Sequence, residues 1–363
     1  MTEFIQTTNI VSELTPWTEV SGPAVIAKIP LVSVAMVTYN HAPYIADAIK
    51  GVLLQETNFQ IELVIGEDCS TDGTREIVFN YQKKYPNVIR VITSEKNVGG
   101  KENSQRIRKS CRGKYIAYCE GDDYWHDPYK LRKQVDYLEG HPECGLVYSD
   151  YDVYNEKYGK KISGFNKFRK WEIPENPVLS DFFVRYNRIG GKNVGIRTCT
   201  TIVRRNILNQ VVESDPFLHQ SGHFKMGDTP ASVEIAGKAR IHYIPESMAT
   251  YRLVDESATR SKDIVKKLQF EISSAEMFIY LGNKYKISSD IISRYEQDKY
   301  DDFLRLAYYT KNENLAEETR KNIKKMNYKK WLLYYGAKYL VIFSICRALI
   351  LFRDFFLRED DWK

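Results

Sequence analysis

Apolar blocks of strand length alternate along the first part of the chain with stretches patterned for helices. Leu31–Val37 (LVSVAMV), Ile61–Gly66 (IELVIG), the NVIRVIT run ending at Thr93 and Tyr115–Cys119 (YIAYC) are continuous apolar runs, as in strands covered on both faces. Between the first two, Pro43 opens a segment where Tyr44, Ile45, Ala48, Ile49, Val52 and Leu53 recur at helical spacing. STDGT is a turn that leads into a helix from about Thr74 to Tyr85. ENSQRIRKSC predicts a further helix, with Gly113 as its C-cap. Strand and helix alternate with short connections, which predicts a mostly parallel α/β sheet flanked by helices. Ligands of such sheets bind outside the carboxyl ends of the strands. That rule gathers Thr38–Asn40, Asp68 and Glu120–Asp123 on one rim.

Beyond Asp127 the pattern predicts a helix (PYKLRKQVDYLEGHP) and then a strand (CGLVYSDYDVY). Residues 155–225 are mixed and polar, with aromatic residues throughout, and Ile196–Arg205 (IRTCTTIVRR) predicts a strand returning to the core. After Thr259, three segments carry apolar positions at three-and-four spacing and predict helices. The chain thus divides into an aperiodic extension (1–30), an α/β domain (31–260) and a helical region (261–363). In the tail, Tyr339–Cys346 is uncharged but only eight residues long, whereas a bilayer span needs about 20. Basic KKMNYKK precedes it, with Trp331, Tyr334 and Tyr335 at the junction. Two readings stand for residues 331–357: a helix lying in the interface of an anionic membrane, or one packing on the protein or on a second subunit of a homo-oligomer.

Composition narrows the class. Of 363 residues, 43% are apolar and 28% charged, as in ordinary globular chains rather than disordered ones. A net charge of +6 suits an anionic nucleotide or lipid surface and is no nucleic-acid signature. The six cysteines are scattered without a CxxC pair, which argues against a structural zinc site or disulfide framework and for reduced thiols. The N-terminus holds no apolar core of signal-peptide length, so a cytoplasmic location is expected.

The most pointed chemistry is the stretch YIAYCEGDDYW, where an apolar run ends abruptly in Glu120, Asp122 and Asp123. Adjacent carboxylates repel one another and are costly to desolvate, so such a gathering calls for a cation. Magnesium and manganese prefer carboxylate oxygens and complete their shells with water and substrate phosphates.

PLVSVAMVTYNHAPYIADAIKGVLLQ, IELVIGEDCSTDGTREIV, the Asn97-Val98-Gly99 turn and YIAYCEGDDYWHDPYKLRKQV together resemble family-2 glycosyltransferases of the GT-A fold. The resemblance covers residues 31–150, and more loosely 195–260. It implies that Thr38, Tyr39 and Asn40 line a nucleotide pocket and that Asp68 accepts a hydrogen bond from the base, with Glu67 nearby. The alternative for Asp68 is turn formation. Asn97 lies with them or simply shapes its glycine turn. Asp122 would stand near the ribose or metal and Asp123 would ligate Mn2+ or Mg2+, while Trp125 is expected to pack. An inverting transfer also needs a base, and the resemblance places Asp228 there, with Glu234 as a rival and a helix N-cap as the alternative role. Relatives often carry a histidine two positions after the Tyr251-Arg252 pair. This chain has Val254, so Arg252 or Arg260 is expected at the departing diphosphate, or in a surface salt bridge. His219, His223 and His242 are substitutes for the missing histidine, or structural.

The expected activity is inverting, metal-dependent transfer of a sugar from a nucleotide diphosphate-sugar, UDP-linked, to a hydroxyl of a glycan or lipid-linked acceptor. Surface-polysaccharide synthesis at the inner face of the cell membrane is the expected setting. A noncatalytic nucleotide-sugar or glycan-binding scaffold and a nucleotidyltransferase are the alternatives. Asp228 and the lack of a Gly-rich, basic phosphate loop count against the second.

Overall fold

The computed structural model describes residues 14–184, 191–192, 194–254 and 263–339. The chain separates into two compact units, Met1–His223 with Gly227–Val254, and Phe224–Met226 with Asp255–Lys363.

The first unit is built on a ten-stranded sheet. Its strands are β1 (Thr18–Ser21), β2 (Val32–Thr38), β3 (Ile61–Glu67), β4 (Ile89–Thr93), β5 (Tyr115–Tyr118), β6 (Tyr124–Trp125), β7 (Cys144–Asn155), β8 (Lys160–Ile162), β9 (Ile202–Arg204) and β10 (Arg240–Leu253). They lie in the order β1-β4-β3-β2-β5-β9-β7-β10-β6, with β8 against β7. β2 pairs in parallel with β3 and β5, and β3 with β4. β2 and β4 are almost wholly buried, which explains why they read as unbroken apolar runs.

Helices α1 (Ile45–Leu53), α2 (Thr74–Lys84), α3 (Gly100–Ser110) and α4 (Lys130–Gly140) follow the strands as the periodicity predicts. Two more, α5 (Arg205–Ser214) and α6 (Asp228–Ala236), complete this unit's longer helices among the described residues. Ile45, Ala48, Ile49 and Val52 of α1 are fully buried in the core that also takes in Met36, Ile65, Trp125 and Leu131.

The sheet is mostly parallel as expected, with antiparallel pairings of β1 to β4 and of β9 to both β5 and β7. Three readings of detail are corrected. First, residues 1–30 are not wholly without regular structure, since Thr18–Ser21 forms β1. The supposed N-terminal extension therefore supplies a strand, and Glu19 on it pairs with Arg90 at 2.8 Å. Second, Ile196–Arg205 is not one strand; Thr198–Thr200 forms a 3-10 turn and only Ile202–Arg204 pairs. Third, α3 ends at Cys111 in extended conformation rather than at Gly113. Gly113 serves close approach instead, since a Cβ there would lie 2.5 Å from the Ser33 backbone nitrogen.

The second unit contains α7 (Ile264–Lys284), α8 (Ser289–Thr310), α9 (Glu313–Asn322) and α10 (Tyr328–Lys338). Tyr334 and Ala337 of α10 are buried with Leu304, Ala307, Ala316 and Ile323, and Trp331 packs beside them. Over this stretch the predicted tail helix packs within its own chain, while Tyr328, Leu332, Tyr335 and Tyr339 are exposed. Residues 340–357 of that prediction lie outside the described residues. Among the described residues no helix is long and apolar enough to cross a membrane.

Candidate active site

The carboxyl ends of β2 and β3 carry two interlocked loops. Thr38 closes β2 at 2% exposure, and its hydroxyl has no hydrogen-bond partner among the described residues. Tyr39 stands out at 43% exposure. Asn40 takes a left-handed φ of 54°, a conformation that asparagine tolerates better than most residues. Its N–H donates to the Ser70 hydroxyl (3.1 Å) and its side-chain oxygen accepts the Thr71 N–H (2.9 Å). Asn40 thus ties the loop after β2 to the loop after β3.

Asp68 and Asn97 come together although 29 positions separate them. The Asp68 carboxylate accepts the N–H groups of Val98 (2.8 Å) and Gly99 (2.9 Å), and its carbonyl accepts the Asn97 amide (3.1 Å). Each carboxylate oxygen has a second lone pair, so this buried acid keeps acceptor capacity. Glu67 is engaged within the protein. It accepts the Ser70 N–H (2.6 Å), the Arg75 guanidinium (2.6 Å) and the Thr93 hydroxyl (3.0 Å). Its observed work is to organise the loop.

The acidic turn after β5 lies against the end of β2. The Gly121 N–H donates to the Val37 carbonyl (2.9 Å), and a Cβ on Gly121 would lie 2.7 Å from the Thr38 hydroxyl oxygen. A side chain at this position would push the acidic turn off the end of β2. Asp123 is 3% exposed and accepts the Arg252 N–H at 2.8 Å, while Asp122 is half-buried. Burial, with the Asp122 charge second, pushes the Glu120 carboxyl up to about 8. Burial, then Asp122 and Glu120, holds Asp123 well above the usual carboxylate range.

Ligand atoms of Glu120, Asp123 and Cys199 lie within 4.8 Å of one another. One Glu120 oxygen is buried without a hydrogen-bond partner among the described residues. Crowded, desolvated carboxylates with an orphaned oxygen fit a divalent cation, which would relieve the repulsion that raises both groups. The sequence marks Glu120 as part of the acidic run. Nothing in the spacing marks Cys199, which the 3-10 turn delivers from 76 positions beyond Asp123.

Asp228 is the first residue of α6; Gly227 holds the cap position, without a side-chain cap bond. The N-cap alternative therefore does not describe it. Asp228 Oδ1 accepts the Thr229 N–H (2.7 Å) and Oδ2 accepts the Thr198 hydroxyl (3.1 Å). The carboxylate is exposed and near enough to the acidic turn that its charge helps raise Glu120. Its rival Glu234 is fully buried and bonded to His219 at 2.6 Å, so it does not face an acceptor.

Arg252 takes the salt-bridge role that was the alternative expectation, in a buried rather than a surface setting. Its guanidinium pairs with Asp47 at 2.7 Å and with Glu156, and lies against the rings of Tyr44, Tyr124 and Tyr154. It braces α1 against the ends of β7 and β10, and a diphosphate would have to displace both acids to reach it. Arg260 lies outside the described residues. His219 is in the buried pair, His242 stacks on Tyr137 at 3.6 Å between ring centres, and His223 is exposed. Trp125 packs as expected, donating its indole N–H to the Cys199 carbonyl (2.8 Å).

A mostly parallel sheet carrying the Asp68–Asn97 turn, the acidic turn and an exposed helix-start carboxylate on its carboxyl rim is the architecture of a GT-A domain. Residues 33–212 match the family described as Glycosyl transferase family 2. The domain belongs to that family. The chain is 33% identical over 227 residues to an uncharacterized protein of Mycobacterium bovis, covering 61% of this chain and 58% of that protein's length. It is 28% identical over 194 residues to the UDP-Glc:alpha-D-GlcNAc-diphosphoundecaprenol beta-1,3-glucosyltransferase WfgD of Escherichia coli, covering 53% of this chain and 67% of the relative. The crystal structure of S. aureus TarS residues 1–349 in complex with UDP-GlcNAc shares the fold, with a TM-score of 0.50 and 16% identity over 84% of this chain and 79% of that one.

Proposed function

We propose that the protein is an inverting, metal-dependent glycosyltransferase that moves a sugar from a nucleotide diphosphate-sugar, UDP-linked, to a hydroxyl of a glycan or lipid-linked acceptor. The observation that carries this is the meeting of Asp228 with the acidic turn, over a hundred positions apart in sequence, on the rim where the Asp68–Asn97 turn also lies. Asp68 accepts a hydrogen bond from the base, as a carboxylate facing an imide N–H does. Thr38, Tyr39, Asn40 and Asn97 shape the nucleoside pocket, and Glu67 supports it from behind. Asp122, the more accessible acid, and Asp123 hold Mn2+ or Mg2+, with Glu120 added to the set foreseen from sequence. When bound, the ion offsets charge on the departing diphosphate.

Asp228 takes the proton of the acceptor hydroxyl as its oxygen attacks the anomeric carbon. The bond from that carbon to the diphosphate oxygen breaks, its electron pair leaves with UDP, and the anomeric configuration inverts. Such positioned proton transfer contributes roughly 10²–10⁴ in rate. The lipid-linked acceptor is supported by the name of the E. coli relative. A peripheral position at an anionic membrane rests on the basic tail and the exposed rings of α10.

Calorimetric titration with UDP and GDP, with and without Mn2+, tests this on the wild type, Asp122→Ala and Asp123→Asn. Metal-dependent UDP binding lost in either variant is the expected result. Nucleotide binding indifferent to metal and to both substitutions would leave the acids structural and favour a noncatalytic scaffold.

A further inference from the structure

We infer that Thr198 is a positioning residue for Asp228, its hydroxyl fixing the plane of the carboxylate in which the acceptor's proton is received. This rests on Asp228 being the base. Asp228 is an exposed side chain at a helix start, and left alone it would sample several rotamers. Two hydrogen bonds remove that freedom: the Thr229 N–H on Oδ1 at 2.7 Å and the Thr198 hydroxyl on Oδ2 at 3.1 Å. The first is local to α6 and moves with it. The second ties the carboxylate to another part of the fold.

The run Thr198-Cys199-Thr200-Thr201 is built to hold that one hydroxyl in place. The Thr200 hydroxyl donates to the Arg197 carbonyl (2.7 Å) and the Thr201 hydroxyl to the Thr198 carbonyl (2.8 Å), both within the turn. Thr198 alone of the three directs its hydroxyl out of the turn, to Asp228 and also towards Glu120 of the acidic turn. The turn is clamped from behind. The Trp125 indole donates to the Cys199 carbonyl (2.8 Å) and the Gln134 amide to the Thr200 carbonyl (2.8 Å). Gln134 is itself held by the buried Lys130, whose Nζ donates to its side-chain oxygen (2.8 Å). Thr198 therefore presents its hydroxyl from a backbone anchored to α4 and to β6, the strand that follows the acidic turn. The arrangement sets the base relative to the metal-binding acids through the protein frame rather than through substrate. Misplacement of a reacting group by about 1 Å can cost on the order of 10²-fold in rate, which is the scale of effect a lost tether would have.

The experiment measures UDP or GDP release from a panel of UDP- and GDP-hexoses with Mn2+, water serving as acceptor, for the full chain and for Thr198→Val, Thr198→Ser and Asp228→Asn. Valine keeps the volume and removes the donor. The expected result is a kcat lowered roughly tenfold to a hundredfold in Thr198→Val. The donor KM and the calorimetric affinity for UDP with Mn2+ should stay within about twofold of wild type, and Thr198→Ser should recover most of the rate. An inactive Asp228→Asn beside a Thr198→Val of wild-type kcat would overturn the inference and spare the base. A fully active Asp228→Asn would remove the base reading itself, and this inference with it. Equal loss in Thr198→Val and Thr198→Ser, with weakened UDP binding, would make Thr198 a structural part of the donor site and likewise overturn the inference.

Discussion

At the scale of single residues, the site is governed by carboxylates placed closer together than water would allow. Glu120, raised from 4.5 to about 8 chiefly by burial, holds a proton in the folded, metal-free protein over a window where the unfolded chain has lost it. Stability of the metal-free protein contributed by this group is therefore greatest below 4.5 and falls as pH rises towards 8. A divalent ion must displace that proton, so Mn2+ affinity should rise with pH across the same window and level off near its upper end. Titrations of Mn2+ with UDP at several pH values check this, and Glu120→Gln should flatten the profile. A profile equally steep in Glu120→Gln would assign the proton to another group. The acidic turn was legible because an apolar strand ends abruptly in carboxylates, and Asp68 because it follows a strand on the same rim, whereas Asp228 came from the family resemblance alone. The partners of those acids were not. Whether Arg252 meets a diphosphate or a pair of internal carboxylates depends on Asp47 and Glu156, which lie 205 and 96 positions away. No local pattern records either.

At the scale of elements, apolar periodicity carried the reading well where strands are covered on both faces, as β2 to β5 are. It failed at Ile196–Arg205 for a physical reason. Threonine hydroxyls bond to nearby carbonyls and offer the backbone an alternative to the strand ladder, and Thr200 and Thr201 do so here. A β-branched run read as strand thereby became a turn. Close approach between elements was equally hidden. Gly51 sits inside α1, where alanine would normally favour the helix by about 1 kcal/mol. Its backbone, however, lies against β6, and a Cβ would fall 2.6 Å from the Trp125 carbonyl oxygen and 2.9 Å from its nitrogen. Gly51→Ala is therefore expected to destabilise the fold by about 1–3 kcal/mol, as denaturant unfolding would report. Because β6 directly follows the acidic turn, the same variant should also weaken Mn2+-dependent UDP binding; an unchanged midpoint would mean that α1 shifts freely.

At the scale of the whole molecule, two compact units imply two cooperative transitions rather than one. The first unit contains a buried ionic cluster at the amino ends of β2 and β3. Glu62, fully buried, accepts from Arg90 (3.0 Å), Arg112 (2.5 Å) and the Ser33 hydroxyl (2.6 Å). Removing that acid strands buried guanidinium charge, and Glu62→Ala should lower the stability of its unit by about 3–5 kcal/mol. In scanning calorimetry one transition should move and the other stay, and UDP with Mn2+ should raise the transition that moved. A single transition shifted as a whole would show that the two units unfold together. The division into an α/β part and a helical part was visible in the change of period along the chain. That Thr18–Ser21 belongs to the sheet was not, because four residues of mixed polarity carry no period.

That short first strand has a consequence for handling the protein. β1 occupies the backbone donors and acceptors of β4 from Arg90 to Thr93, the outer side of a strand that is buried throughout. A truncation starting at residue 23, a natural choice for anyone trimming an N-terminus with no evident pattern, would leave those groups open as a template on which another chain can add. The trimmed protein should keep its nucleotide site yet self-associate, visible as concentration-dependent light scattering, whereas the full chain stays dispersed.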